Sequence, residues 1–247
     1  MSHFFERIRL KAQDVSQHPV LIIALGDSVT QGVMEHRFLD SKRVYHRLLQ
    51  QELEDFFPLT TFSTINAGVS GGTVTQAVQR LERDVLRHAP DLVLIAFGLN
   101  DSLGGEMGLS PFQTALREIV RKIRQGTSSD VMLVTPPFMA RCKNVRIHPE
   151  HEAMADNIIR AQTDGTLGQY AEAIRQIAVE EKTYLADVHR EWESLAGDGL
   201  DTDVWLVNGL NHPDHRGHKL ACSIVLNEIL SMRSGDLREM VNAKSAG

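Results

Sequence analysis

Val20-Leu21-Ile22-Ile23-Ala24-Leu25-Gly26-Asp27-Ser28-Val29-Thr30-Gln31-Gly32 runs from six uncharged apolar residues straight into a polar turn. An apolar run of this kind, without alternation, reads as a strand covered on both faces, as in a parallel sheet. Its carboxyl end opens onto the crevice where such folds place ligands. Ser28 then stands at the rim of that crevice, where a nucleophile would be presented. On its own the turn reads more readily as the common N-cap of a helix, so the rest of the chain has to decide.

Outward from this stretch, strand and helix patterns alternate. Further strands are expected at Thr60 to Asn66, Asp91 to Phe97, Asp130 to Thr135 and Thr183 to Asp187. Helical spacing is carried by Ala77, Val78, Leu81 and Val85 within Gln76 to Leu86, and by Phe112, Leu116, Ile119, Val120 and Ile123 after an N-cap pair Ser110-Pro111. Two more helices follow, one through Leu167, Tyr170, Ala171, Ile174, Ile177 and Ala178, the other from His218 to Leu230. Strands separated by helices of this length predict crossover connections, a parallel sheet and helices on both faces. The long connection from Pro136 to Asp164 is expected to hold a short helix at Glu152 to Ala161 and to supply substrate contacts.

The chain of 247 residues is 42% hydrophobic, enough for one large α/β core, and no linker, repeat or charge block offers a place to cut it. One domain over 1–247 is expected, with a core at about 18–232 and the segments 1–17 and 233–247 as peripheral helices or tails. Net charge is −6, with basic residues scattered among acidic ones, which argues against a nucleic-acid partner. No apolar run is long enough to cross a bilayer and the first residues do not read as a secretory signal, so the expected setting is cytoplasmic. Cys142 and Cys222 stand far apart without a CxxC, which suits a reducing compartment and no thiolate metal site. Homo-oligomerisation is left open.

Polar turns fall at the carboxyl ends of the first three strands: Gly26-Asp27-Ser28, then Asn66-Ala67-Gly68-Val69-Ser70-Gly71-Gly72, then Gly98-Leu99-Asn100-Asp101. Asn211-His212-Pro213-Asp214-His215-Arg216-Gly217-His218 precedes the last helix and can bring a histidine back to the same rim. Together these segments resemble the GDSL or SGNH family of serine hydrolases, in order and over nearly the whole chain from Gly26 to about Leu230. The resemblance implies a three-layer α/β/α sandwich with a five-stranded parallel sheet, flavodoxin-like in its winding. It also implies Ser28 as nucleophile, Gly68 and Asn100 as oxyanion-hole residues and His212 as the catalytic histidine.

The chemistry fits those residue types. A serine hydroxyl attacks at neutral pH when an imidazole takes its proton, and the tetrahedral oxyanion needs donors aimed at it. Here the backbone N–H groups of Ser28 and Gly68 and the side-chain amide of Asn100 are the expected donors. Asp27 and Asp101 are expected to support the turns through hydrogen bonds to backbone N–H groups rather than to react. The family usually carries an aspartate three residues before the histidine, and that position is Gly209. Asn208 is therefore expected to orient His212, with Asp203 or a backbone carbonyl of the loop from Val204 to Leu210 as the alternative.

Rival readings are weaker. Gly68-Val69-Ser70-Gly71-Gly72 matches the G-x-S-x-G elbow of another hydrolase fold, but only one expected strand precedes it. His212, His215 and His218 with Asp214 could suggest zinc, yet Pro213 and Gly217 break the helical frame, and no metal or cofactor is expected. His148 and His151 read as surface residues. The expected function is hydrolysis of a small-molecule ester, with short acyl groups preferred; thioesterase and sugar O-acetylesterase activity use the same residues. A binding module without turnover is the non-enzyme alternative. The expected pocket loops are Met34 to Asp40, Leu103 to Leu109 and Phe138 to Ile147, with Phe38, Met107, Leu109, Phe138 and Met139 as acyl contacts or core.

Overall fold

The computed structural model describes the backbone of residues 2–245 and the side chains through residue 232. Five strands, β1 (Val20–Gly26), β2 (Phe62–Gly68), β3 (Leu92–Ala96), β4 (Asp130–Val134) and β5 (Tyr184–Ala186), form one sheet in the order β2-β1-β3-β4-β5. Every neighbouring pair is parallel, so each connection crosses from one end of the sheet to the other. The order reverses at β1, which places the crevice at the carboxyl ends of β1 and β3.

Alternate strand residues face opposite layers, which explains why β1, β3 and β4 read as largely unbroken apolar runs. Val20, Ile22, Ala24, Leu92, Leu94, Met132 and Val134 pack with Phe4, Leu49, Leu53, Trp192, Val225 and Ile229. Those partners come from α1 (His3–Gln13), α3 (Tyr45–Phe56), α9 (Val188–Gly197) and α10 (His215–Ser245). Ile23, Leu25, Val93, Ile95, Val131 and Leu133 pack on the other face with α4 (Val74–Asp84), α6 (Gly105–Gly126) and α8 (Thr166–Glu180). Each such aliphatic side chain fully buried is worth about 1.5–3 kcal/mol. Among the described residues no helix is long and apolar enough to cross a membrane.

Some boundaries differ from the sequence reading. α6 begins at Gly105, not at Ser110, and carries Pro111 inside it. The ring removes one backbone donor on an exposed face of the helix, and Tyr170 Oη anchors the first turn by donating to the Gly105 carbonyl at 2.8 Å. The amino-terminal segment joins the core rather than lying outside it: Phe4 is fully buried, and Ser2 Oγ and Phe4 N–H donate to Asp130 Oδ2 at 2.6 and 2.8 Å. At the other end α10 continues to Ser245, while residue 1 and residues 246–247 lie outside the described residues. The connection after β4 contains α7 (Glu152–Thr163), close to its expected place. Ala155 and Ile158 of α7 pack with Leu99, Met139, Leu167 and Leu210 in a small separate cluster. That cluster ties the turn after β3 to the loop that carries His212.

Candidate active site

β1 ends at Gly26, and Asp27 caps a single turn, α2 (Ser28–Gln31), by accepting from Val29 N–H at 2.9 Å. Ser28 is thus the first residue of a helix whose start follows directly on a buried strand. His212 comes from a loop 184 positions away, and its Nε2 lies 3.0 Å from Ser28 Oγ. Its Nδ1 lies 2.8 Å from the carbonyl oxygen of Met34. A carbonyl only accepts, so the ring proton sits on Nδ1 and the Nε2 lone pair faces the serine hydroxyl. Both residues are nearly buried, at 4% and 9% exposure. Burial holds the His212 pKa below its ordinary value, opposed by the Met34 carbonyl and reinforced by the neighbouring His151.

The histidine's partner is therefore not the one expected from the sequence. Asn208 Oδ1 accepts the backbone N–H groups of Leu210, Asn211 and His212, each at 3.0 Å, and its amide nitrogen donates to Asn211 Oδ1 at 3.1 Å. Asn208 shapes the turn that holds His212, and its side-chain oxygen is fully used in doing so. Asp203, the alternative, is committed to Arg141: it accepts from Arg141 N–H at 2.9 Å and from Nε at 3.1 Å. Nor does a carbonyl of the loop from Val204 to Leu210 serve. The position three before His212 disfavours an aspartate here, because Gly209 has φ +71° and a Cβ would crowd Asn144 Oδ1 and the Ile147 backbone. The Met34 carbonyl had no signal in the sequence, since backbone oxygens belong to every residue.

The second correction concerns the turn after β2. Gly68 N–H is already donated to Asn66 Oδ1 at 2.9 Å, so it does not face the crevice as a free donor. The turn that follows is pinned from two sides. Ser70 N–H donates to Gln31 Oε1 at 2.8 Å, and Asn100 Nδ2 donates to the Gly72 carbonyl at 3.1 Å. Between these anchors lies Gly71, at φ +71° with open space around it and no hydrogen bond from its N–H among the described residues. The sequence signal that could have pointed to it is the Ser70-Gly71-Gly72 turn, where a left-handed backbone demands glycine. Asn100 lies in α5 (Leu99–Ser102) and spends one amide N–H on Gly72, leaving the other.

Asp27 and Asp101 both accept from backbone N–H groups of the turns. Asp101 accepts from Val74 N–H at 2.9 Å and Gly98 N–H at 3.0 Å, so it joins the turns after β2 and β3. Burial pushes its carboxyl up, and pushes that of Asp27 up to about 7. Ser70, the rival nucleophile, is exposed. His215 is exposed and His218 is buried behind the site, and the 212–218 histidines do not converge on a common point among the described residues.

Of the expected pocket loops, the first and third border a cavity of about 670 Å³ with a mixed lining that includes His36, Arg146, Ile147, His151 and Asn208 but neither Ser28 nor His212. Leu103 to Leu109 does not line it, being taken up largely by the start of α6. Phe138 and Met139 are core, while Phe38 and Met107 are exposed.

A serine and a histidine in hydrogen-bond contact at the carboxyl edge of a sheet wound in this order is the arrangement of an SGNH hydrolase. The chain matches the GDSL-like Lipase/Acylhydrolase family over residues 24–220 and belongs to it, and it is a carboxylic ester hydrolase. It is 24% identical over 188 residues to an acetylxylan esterase of Geobacillus stearothermophilus, covering 72% of this chain and 76% of that one. It is 27% identical over 114 residues to thioesterase 1/protease 1/lysophospholipase L1 of Escherichia coli strain K12, covering 45% of this chain and 49% of that protein. Among solved structures, Axe2, an acetylxylan esterase from Geobacillus stearothermophilus, superposes with a TM-score of 0.64 at 23% identity, over 85% of this chain and 93% of that one. A lipase/acylhydrolase from Enterococcus faecalis gives 0.67 at 22% identity, over 85% and 94%. Structures described as catalytic mutants of Axe2 replace a serine, a histidine and an aspartate.

Proposed function

We propose that the chain hydrolyses short acyl esters of polar alcohols through an acyl-enzyme on Ser28. The observation that carries this reading is the 3.0 Å contact between Ser28 Oγ and a His212 whose tautomer is set by the Met34 carbonyl. His212 Nε2 takes the hydroxyl proton as Oγ bonds to the acyl carbon. The carbonyl π electrons move to oxygen, where the Ser28 N–H, the Gly71 N–H and the spare N–H of Asn100 act as donors. Collapse breaks the bond to the alcohol, which leaves with the proton from His212. Water then attacks the acyl-enzyme by the same steps, releasing the carboxylic acid and restoring Ser28.

The short acyl group and polar alcohol are supported by the acetylxylan esterase among the relatives. Sugar acetates are a natural subset of that class; the thioesterase relative keeps acyl thioesters as the second reading. A panel of nitrophenyl esters of rising chain length, acetylated sugars and acyl-CoA thioesters tests it. Highest kcat/KM is expected for acetyl to butyryl oxygen esters, and a clear preference for long-chain thioesters would replace this reading with the second.

A further inference from the structure

Loop residues far apart in sequence bring three metal-ligating side chains together outside the serine–histidine pair. His36 lies in a tight hairpin, closed by an antiparallel bridge between Val33 and Leu39 and by Met34 N–H donating to the Phe38 carbonyl at 2.9 Å. His148 and Glu150 come from the turn before α7. One ligand atom from each of His36, His148 and Glu150 falls within 4.8 Å of the other two. The His36 and His148 rings are stacked with centroids 3.9 Å apart, and His151 is 5.3 Å from His36. All three histidines line the cavity.

We infer that His36, His148 and Glu150 form a site for a divalent transition-metal ion, with an open coordination position toward the cavity. Zinc bound to imidazole and carboxylate at about 2.0–2.2 Å holds neighbouring donors about 3.4 Å apart in a tetrahedron. His36 Nε2 and Glu150 Oε2 already stand 3.6 Å apart, so only the His148 ring has to turn. That turn breaks one long bond, from Glu150 N–H to His148 Nδ1 at 3.3 Å. Arg37 Nη2, 4.0 Å from Glu150, is the competing cation, and its side chain is free to swing into solvent. Two imidazoles with one carboxylate favour zinc, nickel or copper over calcium and magnesium. A bound ion would clamp the hairpin whose Met34 carbonyl orients His212 against the turn before α7. The site does not depend on Ser28 chemistry.

Titration calorimetry and thermal unfolding with ZnCl₂ test this on the full chain, with MgCl₂ and CaCl₂ as controls. Wild type is expected to bind one zinc ion and to unfold at a higher temperature with it, while magnesium and calcium give no shift. His36→Ala and His148→Ala should each weaken zinc binding tenfold or more, Glu150→Gln should weaken it less, and His215→Ala, at an exposed histidine elsewhere, should leave it unchanged. His36 and His148 are half-buried, and the unfolding curve without metal reports whether each variant folds. Equal zinc binding by wild type and the His36→Ala/His148→Ala double variant would overturn the assignment, as would no zinc binding below millimolar concentration.

Discussion

A backbone carbonyl can do the tautomer-setting part of an aspartate's work, but not its charge. The Met34 oxygen fixes the proton on Nδ1 of His212, yet it offers the imidazolium only a dipole. With burial added, the histidine loses its proton below the ordinary value of 6.5. A base with a lowered pKa stays neutral, and so active, to lower pH. The acid limb of the kcat/KM profile for a neutral ester is therefore expected below 6.5, and a limb above it would indicate a carboxylate partner.

Asn208 gives a sharper residue-level test. Removing its oxygen strands three buried N–H groups, including that of His212, and should cost about 2–4 kcal/mol of stability with a fall in kcat. Asn208→Asp keeps the acceptor oxygens and should recover most of both. Asp203→Ala breaks the Arg141 contacts but should leave kcat within about threefold. Activity as low as that of His212→Ala would return Asp203 to the reaction. Of these residues, Ser28 and His212 could be named from the sequence as a pair because general-base activation of a hydroxyl requires those side chains, and the structure puts them in contact. The Met34 carbonyl was not, and Asn208 was legible as a polar residue near the histidine but not in its actual bonding.

At the scale of elements, α2 matters most, because its cap places the serine. Asp27 ionises near 3.8 in the unfolded chain but holds its proton to about 7 in the fold, as burial outweighs the Val29 N–H bond. Between those values the folded state binds more protons, so Asp27 makes stability fall as pH rises from about 4 to about 7, after which the loss is complete. Asn is as good a cap and carries no charge. Asp27→Asn should therefore stabilise the protein at pH 8, by up to about 4 kcal/mol, and change little at pH 4. Denaturant unfolding at the two pH values measures this, and an equal effect at both would mean the carboxyl is not buried in its neutral form. β1, β3 and β4 were readable because each is apolar on both faces. α6 was started too late because Pro111 looks like a first-turn residue when the anchoring bond from Tyr170 to Gly105 cannot be seen. α1 was left outside the core because the short Phe4, Phe5, Ile8 pattern says nothing of the sheet it lands on.

Across the whole molecule, winding order converts sequence distance into proximity. Ser28 follows the first strand and His212 precedes the last helix, yet the sheet order β2-β1-β3-β4-β5 folds both onto one edge. The turn after β2 lies at that edge, but which of its glycines keeps an unbonded N–H was decided by Asn66 within the same segment and by Gln31 and Asn100 from two others. The Gln31 and Asn100 bonds are tertiary contacts, which a local motif does not show. The pairing itself is the central claim. Labelling with a fluorophosphonate, followed by peptide mapping, tests it most directly. One adduct per chain is expected, on Ser28, absent in Ser28→Ala and slowed at least 100-fold in His212→Ala. An adduct on Ser70, or undiminished labelling of the His212→Ala variant, would contradict the account.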